Sequence, residues 1–293
     1  MPIHHPRRAA LLRALAAAAI MGLALALATW LGGLVGMSAT PDQPLGARVA
    51  VAGAGCVAVV AAIVLLRRGV DRAPLTGIGL TGPRSDAGGF LLGVGVVGAS
   101  GALVIATLTL LGWAEWTGVD GLAVVSFLVT NTLVALLLEA IPEEIAIRGY
   151  ALSSLRTAFP RAAATALGIA AFLLVPPIAL AAGWALGLIS GGEAFTLAPG
   201  GQDPVVYYTM LAAFGLLLTF ARDATLAATV WTCIGAHLTW LTINRIVLGS
   251  APGVDLAFAP DAELLCFAVY TSVAVIVFSL LAGRVRGRSS VTA

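Results

Sequence analysis

Leu138-Glu139-Ala140-Ile141-Pro142-Glu143-Glu144-Ile145-Ala146-Ile147-Arg148-Gly149-Tyr150 carries three carboxylates and one guanidinium. It ends an almost wholly apolar run that begins at Leu122. A charged side chain at the centre of a bilayer costs about 2.5–3.5 kcal/mol on insertion scales, so such residues indicate a functional site by default. One acid and one Arg would be enough to join two helices, whereas this stretch has three acids. We therefore predict a functional site here.

The spacing within the stretch divides the acids. Glu144 and Arg148 stand four residues apart with the acid first, the favourable order for an ion pair along a helix. Glu143 is then expected to lack that partner and to be able to titrate or hold a water. Pro142 has no N–H, so it is expected either to end or kink a helix or to open a new one, with both acids in its first turn.

Composition places the whole chain in a membrane. Of 293 residues, 60% are hydrophobic and 10% charged, with a mean hydropathy of +1.02, against about 25% charged residues in soluble domains. We predict an all-α, polytopic transmembrane helical bundle that forms a single integral membrane domain over residues 1–293. The net charge of +2 and the lack of a basic, aromatic patch give no indication of a nucleic-acid partner. Three scattered cysteines form neither a disulfide framework nor a metal motif, and they are interpreted as core residues: Cys56, Cys233 and Cys266.

Eight apolar stretches are candidates for spans. The first is too long for the apolar core of a signal peptide, about 7–15 residues, and is retained as a helix. The fifth is interrupted by Pro176-Pro177, and a frayed polar tail is expected over residues 284–293. The eight stretches are Ala14–Val35, Val49–Leu66, residues 87–112, Leu122 into the Glu stretch, Arg161–Ile189, Val205–Phe220, Ala224–Leu248 and Leu264–Ala282.

The third span contains Gly93-x-Gly95-x-x-Gly98, formally a dinucleotide-binding fingerprint. No strand precedes it and no acidic residue ends a following strand, so that interpretation is rejected. Gly89 and Gly93 are instead expected to form a close helix-packing face.

The arginines predict the orientation. With eight spans and a cytoplasmic N-terminus, only Arg48 and Arg245 fall outside, a strong positive-inside bias, and the outer loops are acidic, as at Glu193. A multi-pass protein of the cell membrane with both termini in the cytoplasm is expected. The inside set is Arg7, Arg8, Arg13, Arg67, Arg68, Arg72, Arg84, Arg148, Arg156, Arg161, Arg222, Arg284, Arg286 and Arg288.

A second polar group lies in the seventh span. His237 stands thirteen residues in from Ala224, or about 20 Å along a helix axis, which is mid-membrane. Asn244 follows two turns later on the same face. A lone membrane histidine is often an interhelical hydrogen-bonding contact. In a chain that also has a dense Glu cluster, it becomes a candidate ligand, proton carrier or oxyanion donor.

These residues resemble the CPBP (CAAX-processing and bacteriocin-processing, Abi-type) intramembrane glutamate proteases, over about residues 75–250. Glu143-Glu144-Ile145-Ala146-Ile147-Arg148-Gly149 is similar to the first motif, EExxxR followed by Gly. Thr229-Val230-Trp231 through His237 and Trp240 resembles the third motif. Gly77-Ile78-Gly79-Leu80 is similar to the Gly-Leu lead-in of bacterial members.

Two positions depart from the family's pattern. The second motif is FxxxH, whereas Phe172 leads here to Pro176. The third motif usually continues HxxxN or HxxxD, whereas Leu241 stands four residues after His237. The other histidines, His4 and His5, are terminal, and Asn244 lies a turn beyond the missing amide.

The resemblance implies an endopeptidase that acts on a membrane-anchored peptide or protein. Glu143 would be the general base that activates a water, Glu144 and Arg148 its supporting ion pair, and His237 the oxyanion donor. It implies no cofactor, and a metal is disfavoured because catalytic zinc usually has three protein ligands that include two His or a Cys. The two departures leave open a weak protease or a pseudoprotease that binds peptides without cutting them. A proton- or cation-coupled transporter using Glu139, Glu143 and His237 is a further alternative.

Overall fold

The computed structural model describes residues 6–34, 44–190, 196–247 and 251–291. Helices make up nearly all of these residues, and the predicted all-α, polytopic class is confirmed. His4, His5, Glu193 and the predicted end of the seventh span at Leu248 lie outside the described residues.

The elements follow one another as helices with a single pair of strands. Their bounds are α1 (Pro6–Leu34), α2 (Leu45–Leu65), α3 (Pro83–Leu110), β1 (Ala114–Val119), α4 (Gly121–Ala135), α5 (Ile141–Glu144), α6 (Leu152–Arg156), α7 (Arg161–Leu173), α8 (Val175–Ser190), α9 (Pro204–Arg222), α10 (Val230–Val247), β2 (Val254–Phe258) and α11 (Ala262–Val291). Shorter helical turns are π-helical at Leu66–Val70, Leu136–Ala140 and Ile145–Ala151, and 3-10 at Leu75–Ile78 and Pro199–Gly201.

Within the described residues, seven helical stretches are long and apolar enough to cross a membrane. The seventh predicted span forms helix α10 but is not among the seven stretches, because it carries His237, Asn244 and Arg245. The seven are Pro6–Gly33, Leu45–Val70, Leu75–Leu110, Gly121–Arg156, Arg161–Ile189, Pro204–Arg222 and Ala262–Gly287.

The strand pair indicates that α10 crosses as well. Strands β1 and β2 are hydrogen-bonded antiparallel, so both lie on the same side of the membrane. Three of the seven stretches lie between Val119 and Val254, and an odd number of crossings would leave the strands on opposite sides. Helix α10 has 18 residues, about 27 Å at 1.5 Å per residue, and supplies the fourth crossing. We therefore infer eight spans.

Two predicted boundaries can be compared with the structure. The break at Pro176-Pro177 is confirmed, since α7 ends at Leu173 and α8 begins at Val175. The prolines lack the N–H groups that would continue α7, but they are compatible with the first turn of α8. The prediction of a frayed tail is wrong as far as Val291, because α11 continues through the arginines beyond Ala282. Arginine is a good helix former.

Contacts divide the chain into two compact units. Unit 1 comprises Met1–Leu80 and Leu137–Gly215, and unit 2 comprises Thr81–Leu136 and Leu216–Ala293. In unit 1, α1 packs closely on α8, and a Cβ added at Gly22 would lie 2.7 Å from Cγ2 of Ile178.

Helices α3 and α10 form the closest helix pair of unit 2. A Cβ on Gly93 would lie 2.2 Å from the Thr232 carbonyl oxygen and 2.6 Å from the Ala236 nitrogen, and one on Gly235 would lie 2.2 Å from the Phe90 carbonyl oxygen. The two backbones can approach this closely only because each helix has a glycine, which has no side chain, at the point of contact. The predicted packing face at Gly89 and Gly93 is confirmed. The three glycines of the formal dinucleotide fingerprint lie inside α3 and not in a turn between a strand and a helix.

We predict that Gly93→Ala destabilises the folded protein by about 1–3 kcal/mol, the usual cost of overpacking. Gly95→Ala is the matched control, because Gly95 lies on the same helix, is exposed and has no atom within 4 Å of an added Cβ. It should be neutral or stabilise by up to about 1 kcal/mol, because alanine is the better helix former. Thermal unfolding in detergent measures both. Equal melting temperatures would contradict the close packing.

Orientation is tested by labelling single cysteines from outside intact cells. The native Cys56, Cys233 and Cys266 are buried and should give little background. We expect a membrane-impermeant maleimide to label cysteine at the exposed positions Asp120, Asp203 and Asp255 but not at Arg72, which is also exposed. Arg222 is buried and is not a suitable position. Labelling at Arg72 from outside would reverse the orientation.

Candidate active site

The Glu stretch lies within one continuous helical segment that contains two π-helical segments. Helix α5, which contains both Glu143 and Glu144, is only four residues long and is flanked by the first π segment, Leu136–Ala140, and the second π segment, Ile145–Ala151. Pro142 cannot donate the i→i−4 hydrogen bond, and a shift to i→i−5 bonding accommodates that loss.

Of the two alternatives predicted for Pro142, a helix end or kink and the first turn of a new helix, the structure agrees with the second: Pro142 lies in the first turn of α5 together with Glu143 and Glu144. The chain does not leave the helical conformation before α5, however. The preceding residue, Ala140, has helical dihedrals of −64° and −45°. The acids thus stand inside a helix and not at a free N-terminus with exposed N–H groups. Two π segments beside the same acids are a feature that the sequence analysis missed. Such segments are frequent at functional sites.

Both carboxylates share one buried arginine. The Arg148 Nη1 donates to Oε1 of Glu144 at 3.1 Å and lies 4.0 Å from Oε1 of Glu143. Glu144 is fully buried, Arg148 is 2% exposed and Glu143 is 7% exposed. The predicted Glu144–Arg148 pair is confirmed. The expectation that Glu143 lacks this partner is wrong, although its contact with the guanidinium is the longer one.

Phe172 completes the surroundings of the arginine. The Arg148 guanidinium carbon lies 4.0 Å from the centre of the Phe172 ring, a cation–π contact. The ring packs in turn against Phe214, with centroids 6.0 Å apart. Phe172 is the aromatic residue of the FxxxH position, so this residue supports the ion pair even though Pro176 replaces the histidine of that motif.

The Gly-Leu lead-in contacts the Glu motif directly. A Cβ on Gly149, the glycine that follows Arg148, would lie 3.1 Å from the carbonyl oxygen of Ile78, and Ile78 is buried. Gly79 has a φ of 88° and closes the 3-10 turn Leu75–Ile78 in the left-handed region that favours glycine. This contact gives a physical reason for a glycine after the arginine, since a side chain there would press on the turn.

His237 lies in unit 2, midway along α10, and is 2% exposed. The start of this helix is held on α3, where the Thr229 hydroxyl donates to Asp86 at 2.5 Å and Trp231 packs edge-on against Phe90. The Thr-Val-Trp residues before His237 thus position the helix.

Asn244, the possible substitute for the missing motif amide, is engaged elsewhere. Its side-chain oxygen accepts a hydrogen bond from the Tyr270 hydroxyl of α11. Trp240, between the two polar residues, donates from its indole nitrogen to Thr271 and packs against Phe267. The far half of α10 is therefore fixed by α11.

The donor set beside Arg148 suits an ion pair better than a metal. Glu143 and Glu144 offer hard carboxylate oxygens, but the guanidinium already lies against both. A second cation at these oxygens would be repelled by Arg148. Zinc, moreover, prefers nitrogen and sulfur ligands.

We predict that Arg148→Ala lowers the folded yield more than His237→Ala does. Removing the guanidinium leaves the Glu144 carboxylate buried without its partner, which commonly costs about 3–5 kcal/mol. Detergent-extracted yield and thermal unfolding of the two variants measure the difference. Equal values would contradict the stabilising role of the pair.

A family model described as Rce1-like, type II CAAX prenyl endopeptidase, matches residues 125–243. The matched range includes Glu143, Glu144, Arg148 and His237. No curated protein and no solved structure shows significant similarity to the chain. The acidic motif, the buried arginine and the matched range together lead to one conclusion: residues 125–243 are similar to the type II CAAX prenyl endopeptidases, within a multi-pass membrane protein.

Proposed function

We propose that this protein is an intramembrane glutamate endopeptidase that hydrolyses a peptide bond in or near the membrane. The observation that carries the proposal is the pair of buried carboxylates around one buried arginine, inside the range that matches the endopeptidase family. A purely structural ion pair needs only one acid, so we assign the second acid to the hydrolytic reaction.

Glu143 is the proposed general base. Glu144 is fully buried and accepts the short hydrogen bond from Arg148, whereas Glu143 is slightly exposed and lies at the longer distance of 4.0 Å. A carboxylate that is less tightly held by its countercharge is the better proton acceptor. Glu144 and Arg148 then hold the base in place, and Phe172 limits the positions open to the guanidinium.

In the proposed reaction, the Glu143 carboxylate takes a proton from a water as the water oxygen adds to the scissile carbonyl carbon. The carbonyl electron pair moves onto its oxygen, and an N–H of His237 stabilises the resulting oxyanion. Glu143 then returns the proton to the amide nitrogen as the C–N bond breaks. The products are a carboxylic acid and an amine, and no metal or cofactor takes part.

The two motif departures bear on the rate. Pro176 stands where the family has a second histidine, and Leu241 stands where it has an amide or acid. General acid–base assistance is commonly worth about 10²–10⁴ in rate, so a site that lacks one of its two assisting groups is expected to turn over slowly. Asn244 is bonded to Tyr270 and is therefore a poor substitute for the missing amide.

The test uses purified protein and a library of membrane-anchored and C-terminally prenylated peptides. Glu143→Gln should reduce cleavage by about 10²-fold or more, because glutamine cannot accept the proton. His237→Ala should reduce kcat by about 10²–10³-fold, the usual loss for one oxyanion donor. Glu139→Gln is the control: it also neutralises an acid of the same helical stretch, one turn earlier, and should leave cleavage near the wild-type level.

The double variant Pro176→His, Leu241→Asn restores the family's pattern and should raise kcat. Pro176 lies in the first turn of α8, where its missing N–H is not needed, so histidine fits the backbone there. No cleavage by any form, together with peptide binding that depends on Glu143 or His237, would instead identify a pseudoprotease. Proton or cation flux in liposomes that is lost in Glu139→Gln, without peptide binding or cleavage, would identify a transporter.

A further inference from the structure

One carboxylate of unit 2 joins the first turns of two helices. The Asp86 side chain accepts three hydrogen bonds within its own segment, from the Thr81 hydroxyl at 2.8 Å, the Thr81 N–H at 3.3 Å and the Gly82 N–H at 3.0 Å. These bonds hold the turn at which α3 begins, as expected for an acid in the first turn of a helix. A fourth bond, at 2.5 Å, comes from the Thr229 hydroxyl, 143 residues later in the chain. Asp86 thus ties the start of α3 to the start of α10.

Thr229 makes two hydrogen bonds at the start of α10. It directly precedes Val230, the first residue of the helix, and its hydroxyl oxygen accepts from the Trp231 N–H at 3.3 Å. This is N-capping by a side-chain oxygen. A hydroxyl has one donor and two acceptor sites, so the same group can cap α10 and donate to Asp86. The Thr229 side chain is fully buried, so water does not compete for either bond.

The backbone just before Thr229 is held in an unfavourable conformation. Ala228 has a φ of 45°, in the left-handed region that residues with a side chain rarely adopt. Such a conformation persists only where the surrounding structure imposes it. The bond between Thr229 and Asp86 is a constraint of this kind, because it determines where the chain must be when α10 begins.

The place where α10 begins sets the position of His237. This residue lies eight positions beyond Thr229, or about 12 Å along a helix axis. At the closest contact of the two helices, Gly93 and Gly235 allow the short distance between α3 and α10. These glycines have no side chains that could fix one helix along the axis of the other. The Thr229–Asp86 bond at the helix ends provides that fixed point.

We propose that Asp86 is a positioning residue for His237. It holds the Thr229 hydroxyl and so sets the position of α10 along α3, and with it the position of the imidazole. This inference rests on the proposed function for its effect on catalysis. Its structural part, the placement of the imidazole, can be measured without turnover.

The kinetic test compares Asp86→Asn and Thr229→Val with two matched controls. Asp120→Asn makes the same change in an acid that accepts N–H groups at the start of α4. Thr232→Val makes the same change one turn later on α10, at a fully buried hydroxyl that has no hydrogen-bond partner among the described residues.

We expect kcat per folded molecule to fall about 10–100-fold in Asp86→Asn and Thr229→Val, since a displacement of about 1 Å can cost about 10²-fold. Both controls should stay near the wild type. KM should stay within about twofold in all variants, because an oxyanion donor acts in the transition state and not in substrate binding.

A conservative variant separates positioning from the loss of any side chain. Thr229→Ser keeps the hydroxyl that caps α10 and donates to Asp86, so its kcat should stay within about threefold of the wild type. Thr229→Val leaves the three bonds of Asp86 within its own turn intact. It therefore decides the question even if Asp86→Asn does not fold. Equal kcat in Thr229→Val and Thr229→Ser would contradict the inference.

A measurement at the imidazole itself distinguishes this inference from the proposed function. The chain has three histidines, so a protein that carries His4→Ala and His5→Ala keeps only His237, and its isotope-labelled imidazole gives a single NMR signal. We expect this signal to shift in Asp86→Asn and Thr229→Val and to stay in place in Thr229→Ser and in both controls. An unchanged signal in Thr229→Val, or the same shift in the controls, would overturn the inference. If the wild type cuts no peptide, the proposed function fails and the imidazole signal alone decides the positioning role.

Discussion

The buried contact of one guanidinium with two carboxylates is the constraint on which the rest of unit 1 depends. Each of these charges would be costly in a bilayer if left alone. The Arg148 guanidinium contacts two carboxylates and lies over the ring of Phe172. The sharing of one guanidinium by two carboxylates distinguishes the group from a simple ion pair.

The backbone around the group is adapted to it. An uninterrupted α-helix would keep one register from Gly121 to Arg156, but Pro142 removes one of its hydrogen bonds. The π segments on both sides of α5 absorb this loss without ending the helix. The glycine after the arginine and the 3-10 turn beneath it then hold the altered register in place. The short motif is thus supported by residues some seventy positions earlier in the chain.

Much of this could be predicted from particular residues, and the rest depends on distant contacts. The i, i+4 spacing of Glu144 and Arg148 predicted their pair, the double proline predicted the break before α8, and Gly89 and Gly93 predicted the close helix face. The π segments were missed because register changes leave no periodic signal in an apolar sequence.

Two side-chain contacts could not be predicted either. The contact of Arg148 with Phe172 joins residues from different helices, and periodicity carries no information on it. The pairing of Asn244 with Tyr270 likewise depends on how α11 packs against α10.

Helix α10 raises the question of how a polar segment enters a bilayer. It falls outside the seven stretches that are long and apolar enough to cross a membrane, because it carries His237, Asn244 and Arg245. Helix α3 is synthesised much earlier and presents bare backbone at Gly93, against which α10 fits within van der Waals distance. Asn131 of α4 is also in place and accepts a hydrogen bond from Arg245 at 2.8 Å. Two helices that precede α10 in the chain thus offer it a close backbone surface and a hydrogen-bond partner for its arginine, contacts that lipid could not supply.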